Sequence, residues 1–173
     1  MNIRDFKSST ITLVNKDIDF YRLKQLLLEF ATTIDFDLCY QSFVKELSSI
    51  NEFYSPPNGI AFLLSHDNKT IGCVGLREIT PGVAIVKRFF IRSDFRQPYF
   101  GKQLLKVAID WANQKGIKKI NLDPSDTVQW VSKLCINEGF NEFYPCDVPK
   151  ASSLKCYEMK LIQKPEYSRL LAC

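Results

Sequence analysis

Apolar residues recur along this chain with two periods, and each period predicts a different kind of element. Runs rich in β-branched and aromatic residues predict six or seven strands, at 11–14, 59–65, 70–79, 83–91, 118–123, 140–144 and 154–162. Apolar residues three and four apart predict helices that begin near Asn15 or Asp17, Cys39, Gly101, and Ser125 or Asp126. These helices end near Thr32, Ser48, Gly116 and Gly139.

The connections between the strands predict how the sheet is assembled. Short turns link the three strands between residues 59 and 91, which favours an antiparallel meander. A helix precedes the strand at 118–123, and a helical crossover places neighbouring strands parallel. We therefore expect one mixed α+β (α/β) domain over 1–173, with a mixed, mostly antiparallel sheet flanked by about four helices. Residues 163–173 are expected to form a C-terminal tail.

The stretch from 83 to 105 combines a strand, a basic turn and a helix start. The first turn of a helix carries N–H groups without helical partners and the positive end of the helix dipole. Arg96 and Lys102 add side-chain charge, and Gly101 lets a ligand approach the backbone closely. This order of elements is typical of a phosphate-binding site. The plainer interpretation is a solvated loop followed by an ordinary helix.

Four segments carry a resemblance to a known family. Arg96-x-x-Tyr99-x-Gly101 is similar to the pyrophosphate-binding motif R/Q-x-x-G-x-G/A of the GNAT N-acyltransferase superfamily, with Tyr99 in place of the first glycine. Three further segments resemble the family's patterns in the family's order: KRFFI at 87–91, NLDPSD at 121–126 and CINEGF at 135–140. The resemblance covers residues from about 10 to 162.

The resemblance implies a GNAT-like fold whose sheet is splayed between its fourth and fifth strands, with acetyl-CoA in the opening as cosubstrate. Backbone groups of Phe90, Ile91 and Arg92 would then bind the pantetheine arm as an added strand. The pyrophosphate would be cradled by the residues around the helix start, namely Arg96, Gln97, Tyr99, Phe100, Gly101 and Lys102. Gln129 stands where many relatives carry a cofactor-contacting asparagine, and the alternative is an exposed helix residue.

Two catalytic positions of the family are altered in this chain. The tyrosine that serves as general acid falls on Cys135, and a glutamate just before the KRlYV strand end falls on Ile85. We therefore consider Cys135 as the acid and Glu78, at the end of the adjacent strand, as a substitute base. The plainer interpretations are a buried core cysteine and a solvated turn carboxylate. A nucleophilic cysteine paired with His66 is the least favoured option, because that histidine lies in a predicted turn.

Other charged residues near the predicted site receive plainer roles. Lys87 and Arg88 are expected to face solvent at a strand edge, and Asp123 to form a turn or cap a helix. The segment 35–54 mixes aromatic residues with carboxylates. Such a mixture suits either a pocket for a cationic amine or a packed helical hairpin with a solvated acidic face.

Composition narrows the range of functions. A net charge of +4 over 173 residues, without a long basic run, gives no reason to expect nucleic acid as partner, but it suits coenzyme A. Six cysteines without a C-x-x-C pair and one histidine make a metal site unexpected. No apolar leader opens the chain, and no apolar run approaches the roughly 20 residues that span a bilayer. We therefore expect a reduced, cytoplasmic protein without a membrane partner.

These observations favour an acetyl-CoA-dependent N-acetyltransferase, in which a primary amine of a small molecule or peptide attacks directly in a ternary complex. The altered catalytic positions leave a non-catalytic acyl-CoA-binding or regulatory module as the alternative. A structural protein that binds no CoA is a third option. A homodimer is implied by resemblance alone, since many relatives pair through their sheets or C-terminal strands.

Overall fold

A computed structural model describes residues 9–33, 40–124, 128–143 and 155–162. Over these ranges the chain forms one sheet with helices on both faces. The strands are β1 (Ser9–Leu13), β2 (Ile60–His66), β3 (Lys69–Thr80), β4 (Val83–Ile91), β5 (Lys119–Leu122), β6 (Asn141–Phe143) and β7 (Cys156–Lys160). The helices are α1 (Asp17–Ala31), α2 (Tyr40–Ser48), α3 (Ile50–Phe53), α4 (Pro98–Gln114) and α5 (Gln129–Asn137), with a 3₁₀ turn at Ser93–Phe95.

The seven strands follow the order β1-β2-β3-β4-β5-β7-β6, and every neighbouring pair is antiparallel except β4 and β5. That pair is parallel because α4 carries the chain from the end of β4 back to the start of β5. The predicted α+β class, the mostly antiparallel sheet and the parallel neighbour of β4 are therefore confirmed. The short helix α3 is an addition to the predicted elements.

Each face of the sheet buries its own set of helices. On one face, which we call the α1 face, α1 presents an apolar stripe with helical spacing: Phe20, Leu23, Leu26, Leu27 and Phe30. On the other, the α4 face, α4 presents Leu104, Leu105, Ala108 and Ala112, and α5 adds Val131 and Cys135. The sheet thus separates two apolar cores, and alternate residues of each central strand enter one or the other.

Helix α4 begins three residues earlier than predicted. The pattern predicts a start at Gly101, but the first helical residue is Pro98 and the N-cap residue is Gln97. Proline suits this first position, because its φ is already helical and its missing N–H would find no helical partner there. Gly101 therefore lies one turn inside the helix. A Cβ at Gly101 would come within 2.7 Å of Leu134, so this glycine permits close packing of α4 on α5.

Several predicted features fall outside the described ranges. They are the helix caps at Ser125 and Asp126, the helix start at Cys39, the loop between the last two strands, and the tail at 163–173. Within the described part of the chain, no helix combines the length and apolar character that crossing a bilayer requires.

We expect Gly75→Ala to lower the free energy of unfolding by about 1–3 kcal/mol. Gly75 of β3 lies against the buried ring of Tyr54, and a Cβ there would come within 2.4 Å of the ring carbon Cε1. Urea denaturation followed by circular dichroism measures the change. Gly116→Asn is the control, because its φ of +72° tolerates asparagine and a Cβ there meets nothing within 4 Å. Equal stability of Gly75→Ala and wild type would contradict the packing described.

Candidate functional site

Strands β4 and β5 run side by side for four residue pairs and then separate. Their pairing ends where Val86 lies opposite Leu122, and the N–H of Asp123 makes one more hydrogen bond, of 3.0 Å, to the Val86 carbonyl. Strand β4 continues to Ile91 with no described strand on this edge. The predicted opening between the fourth and fifth strands is therefore present. We call the point of separation the fork, and the edge of β4 beyond it the open edge.

A β-bulge interrupts β4 just beyond the fork. Lys87 lies opposite Gly75 of β3, whereas Phe90 lies opposite Cys73, so β4 takes three residue steps where β3 takes two. Arg88 is the extra residue, and its φ of +54° lies in the left-handed region that residues other than glycine seldom adopt.

Arg88 is buried, contrary to the expectation that it faces solvent. Its Nε donates to Glu46 Oε1 at 2.9 Å and its Nη2 to Glu46 Oε2 at 2.8 Å. The Tyr54 hydroxyl donates to the same Oε1 at 2.6 Å. The rings of Phe43 and Phe30 have their centres 5.0 and 5.7 Å from the guanidinium carbon. A bidentate carboxylate and aromatic neighbours together stabilise a guanidinium away from water.

The described part of the segment 35–54 is packed internally rather than arranged as a pocket for a cationic amine. The Glu46 carboxylate is bound by Arg88 and Tyr54, and the guanidinium of Arg77 lies 4.3 Å from the ring centre of Phe53. Residues 34–39 lie outside the described ranges. Residues 40–54 are thus packed helices, as in the second interpretation, but Glu46 is buried and does not belong to a solvated acidic face.

The backbone groups on the open edge belong to Phe89 and Ile91. The Arg92 N–H donates to the Ile71 carbonyl of β3 at 2.9 Å, and backbone groups alternate between the two edges of a strand. Phe90 therefore also faces β3, so Ile91 alone, of the three residues predicted to offer backbone groups to a pantetheine arm, presents them on the open edge. The bulge at Arg88 is the physical reason, because one extra residue exchanges the two edges for every residue that follows.

A pocket of about 250 Å³ lies between the start of α4 and one face of α5. Its lining residues are Arg96, Gln97, Pro98, Gly101, Lys102, Trp130, Lys133, Leu134 and Asn137. The fold thus brings four of the predicted phosphate-binding residues to one place: Arg96, Gln97, Gly101 and Lys102.

The side chains of the other predicted cofactor residues point elsewhere. Phe100 is buried in the core of the α4 face, and the Tyr99 hydroxyl accepts a hydrogen bond of 2.8 Å from Gln103. Gln129 is exposed at the start of α5, and the next residue, Trp130, lines the pocket in its place. For Tyr99 and Phe100, only the backbone in the first turn of α4 remains a candidate contact.

Three cations border the pocket, and they differ in their partners. Lys102 forms an ion pair with Glu138 at 2.7 Å, which neutralises part of its charge. Arg96 donates from Nε to the Ile91 carbonyl at 3.0 Å, so its side chain joins the pocket to the open edge. Lys133 has no carboxylate partner among the residues that the structure describes.

The start of α4 adds to this positive potential. The side chain of Gln97 makes no capping hydrogen bond, and the first turn of the helix contains no acidic residue. In a helix of 17 residues the aligned peptide dipoles place partial positive charge at this end. Pro98 supplies no N–H, but the following residues of the first turn do. The donors and charges around the pocket therefore fit a diphosphate.

Helix α5 contributes pocket residues that the sequence analysis missed. Trp130, Lys133, Leu134 and Asn137 are spaced i, i+3, i+4 and i+7, and this spacing places them on one helix face. That periodicity was the available signal. The ring centres of Trp130 and Phe89 lie 5.7 Å apart. The buried indole N–H of Trp130 has no hydrogen-bond partner in the described chain. Trp130 therefore joins the α5 wall of the pocket to the open edge.

The structure gives each of the two predicted catalytic residues a plainer position. Glu78 accepts a hydrogen bond of 2.7 Å from the Gly82 N–H, so it closes the β3–β4 turn, at the far end of β4 from Ile91. Cys135 is fully buried, and desolvation, with a smaller contribution from Glu138, raises the pKa of its thiol to about 12. The plainer interpretations therefore describe their positions: Glu78 is a turn carboxylate, and Cys135 is a core cysteine.

One ion pair lies at the fork. Lys87 is the first residue of β4 beyond the parallel pairing, and its Nζ lies 2.5 Å from Oδ2 of Asp123, the residue that follows β5. Lys87 is the register partner of Gly75, which lies against Tyr54, so the pair is on the α1 face of the sheet. Both side chains are mostly buried. Lys87 was expected to face solvent, and Asp123 to form a turn or cap a helix. The structure instead pairs the two side chains at the fork.

A second ion pair joins α1 to the end of β4. Arg92 donates from Nε and Nη2 to the two carboxylate oxygens of Glu29, at 2.7 and 2.5 Å, and from Nη1 to the Thr70 carbonyl at 2.8 Å. Hydrogen bonds from Arg92 lower the pKa of Glu29, and desolvation opposes them. The end of the open edge is thereby held against both α1 and β3.

Comparison with known proteins gives a consistent result. The chain matches the model of the Acetyltransferase (GNAT) family over residues 20–134, more than half of its length. An acetyltransferase from Streptococcus agalactiae 2603 superposes with a TM-score of 0.71 at 17% identity, covering 90% of this chain and 100% of that chain. An acetyltransferase of the GNAT family from Staphylococcus aureus Mu50 gives 0.67 at 22% identity, with 88% and 100% covered.

A third similar structure contains coenzyme A. It is PaiA N-acetyltransferase from Thermoplasma acidophilum, with a TM-score of 0.63, 18% identity, and coverage of 88% of this chain and 99% of that chain. At these identities the likeness shows a shared fold. No curated protein matches the chain significantly.

We expect Glu29→Gln to destabilise the protein at neutral pH by about 0.2–1 kcal/mol, because the pair is partly exposed to solvent. The pKa of Glu29 is lowered in the folded state from an ordinary value of 4.5. Its stabilising effect is therefore complete above that ordinary value and is lost as the pH falls through the lowered one. Thermal denaturation between neutral pH and about pH 2 should show the gap between wild type and variant closing on the acid side. A gap that does not change with pH would contradict this assignment.

Proposed function

Because the chain belongs to the GNAT acetyltransferase family, we propose that it transfers an acetyl group from acetyl-CoA directly to a primary amine of a small molecule or peptide. Coenzyme A in the Thermoplasma acidophilum structure of the same fold supports the donor. The name of that relative, an N-acetyltransferase, supports a nitrogen acceptor.

One observation carries the proposal: two residues that line the pocket also contact the open edge of β4. Arg96 lines the pocket and also donates to the Ile91 carbonyl. Trp130 lines the same pocket and packs on Phe89. A molecule with a diphosphate at one end and an amide-bearing arm at the other matches both parts. Coenzyme A has this construction.

The residues that would hold the donor follow from these positions. The first turn of α4, with Lys133 and Arg96, would bind the pyrophosphate by N–H groups and by charge. The backbone groups of Phe89 and the N–H of Ile91 would pair with the pantetheine amides, as an added strand pairs with a sheet edge; the Ile91 carbonyl already accepts from Arg96. Lys102 contributes less, because Glu138 already binds it.

The fork is where we place the reacting groups. The thioester supplies an acyl carbon already activated towards attack, so the protein needs to form no covalent intermediate. A backbone N–H on the open edge of β4 is suited to polarising the acyl oxygen. The acceptor ammonium must lose a proton before attack, and we assign Asp123 to accept it, directly or through one water. The C–N bond then forms and the C–S bond breaks; the nitrogen loses its second proton and the departing CoA thiolate takes one up, which gives an amide and the free thiol. The Nζ of Lys87 lies 2.5 Å from the Asp123 carboxylate.

A non-catalytic acyl-CoA-binding or regulatory module remains the second candidate. It is favoured because Glu78 closes a turn and Cys135 is fully buried in the core of the α4 face. Donor binding without turnover of any amine would favour this module. A cytoplasmic location and a homodimer stay predictions.

We expect Lys133→Ala to weaken the binding of acetyl-CoA about tenfold, because it removes a charged hydrogen-bond donor from the pocket. Isothermal titration measures the dissociation constant. Lys106→Ala is the matched control, since Lys106 is exposed and forms an ion pair with Asp110 on the outer side of α4. Equal weakening in both variants would indicate a general loss of charge instead of a defined site. Absence of binding to wild type at millimolar ligand would reject the proposed function.

We expect Asp123→Asn to reduce turnover about 100-fold with little change in the dissociation constant of acetyl-CoA, as for the loss of a general base. Release of the CoA thiol, measured with a panel of amines, reports turnover, and titration reports donor binding. Glu78→Gln is the control, because that carboxylate closes the β3–β4 turn. A Glu78→Gln variant that loses turnover while Asp123→Asn retains it would reverse the assignment.

A further inference from the structure

We infer that Arg88 is a positioning residue whose buried ion pair with Glu46 holds the bulge of β4, and with it the edge on which the donor lies. The inference rests on the proposed function, because it takes the open edge as the donor site. Neither Arg88 nor Glu46 lines the pocket or belongs to the fork ion pair.

The bulge decides which backbone groups the open edge presents. From Ala84 to Lys87, the pairing with β3 follows one register, and beyond Arg88 it follows another, shifted by one residue. Without the extra residue, Phe90 would face the open edge, and Phe89 would face β3. The two side chains would also exchange cores, whereas in the structure Phe90 is buried on the α1 face and Phe89 on the α4 face. The bulge therefore brings Phe89 to Trp130 and its backbone to the open edge.

Arg88 itself is poorly suited to this backbone conformation. A φ of +54° is unfavourable for a residue with a long side chain, and it persists only where the surroundings hold it. Here Glu46 binds the guanidinium through two hydrogen bonds, and Tyr54 binds the same carboxylate. Tyr54 in turn packs on Gly75, which lies opposite the residue before the bulge. Helices α2 and α3 thus hold Arg88 from the α1 face.

Net stability does not explain such a pair. Two charges that are 4% and 2% exposed have lost most of their hydration, and their mutual attraction seldom does more than offset that loss. What the pair does provide is a single geometry, because a bidentate guanidinium–carboxylate contact fixes both partners. The strained backbone and the fixed side chain coincide at one residue, next to the fork.

Two double variants separate the backbone conformation from the ion pair. Both carry Glu46→Gln, so neither leaves a carboxylate buried alone; one adds Arg88→Asn and the other Arg88→Thr. Asparagine and threonine are similar in size, but asparagine tolerates the left-handed region and a β-branched residue does not. We expect the threonine variant to bind acetyl-CoA at least about tenfold more weakly than the asparagine variant, because only asparagine keeps the bulge. Titration gives both dissociation constants, and circular dichroism checks that both proteins are folded.

Equal donor affinity in the two folded variants would overturn the inference while leaving the proposed function intact. Failure of the wild-type protein to bind acetyl-CoA would instead reject the proposed function. If the threonine variant does not fold, Glu46→Gln alone decides. It keeps Arg88 but loses one of the two charged contacts, and we expect donor binding to weaken about threefold or more. Unchanged donor affinity in that variant would count against Arg88 as a positioning residue.

Discussion

The organisation of this protein depends on one strand that is paired along its whole length on one side and only along its first half on the other. Strand β4 stays bonded to β3 as far as Ile91, but β5 leaves it after Val86. Every other feature of the site follows from that asymmetry. An unpaired edge inside a sheet would normally expose backbone donors and acceptors without partners, which costs free energy unless a ligand or another group satisfies them.

Three features of the chain cover this edge, satisfy its hydrogen-bonding groups or determine which of them point outward. Helix α5 covers part of the gap with Trp130, which packs on Phe89. Arg96 satisfies the Ile91 carbonyl with its own side chain. The bulge at Arg88 selects the residues whose backbone groups point outward. Helix α4, which follows β4 directly, brings an uncapped N-terminus to the same region. A phosphate site and an edge that can accept a strand-like arm therefore arise from consecutive residues.

Charges in this protein fall into two groups with different physical roles. Two ion pairs, the buried Glu46–Arg88 and the partly exposed Glu29–Arg92, connect helices of the α1 face to β4 and to the residue that follows it, and they act by fixing geometry. The cations around the pocket are more exposed, and Lys133 has no described carboxylate partner. A cation without a carboxylate partner in the protein attracts an anionic ligand strongly, whereas the charge of a paired cation is largely cancelled by its partner. This distinction explains why Lys102, although predicted, is a weaker candidate than Lys133, which the sequence analysis missed.

Local pattern was sufficient for much of this molecule. Periodicity gave the strands, the principal helices and the parallel position of β5, because a strand or helix must place its apolar residues on a buried face wherever it lies. The basic turn before α4 could also be identified from the sequence, since helix ends and arginines attract anions regardless of context.

Three features depended on the tertiary structure. The edge presented by Phe90 was reversed by a bulge, which the sequence does not reveal because Phe89, Phe90 and Ile91 are all apolar and show no alternation. The burial of Arg88 required a carboxylate from α2, 42 residues away in sequence. The positions of Cys135 and Glu78 were decided by which core and which turn surrounded them. Sequence determines what each residue can do locally, but long-range contacts decide which of those possibilities the folded chain retains.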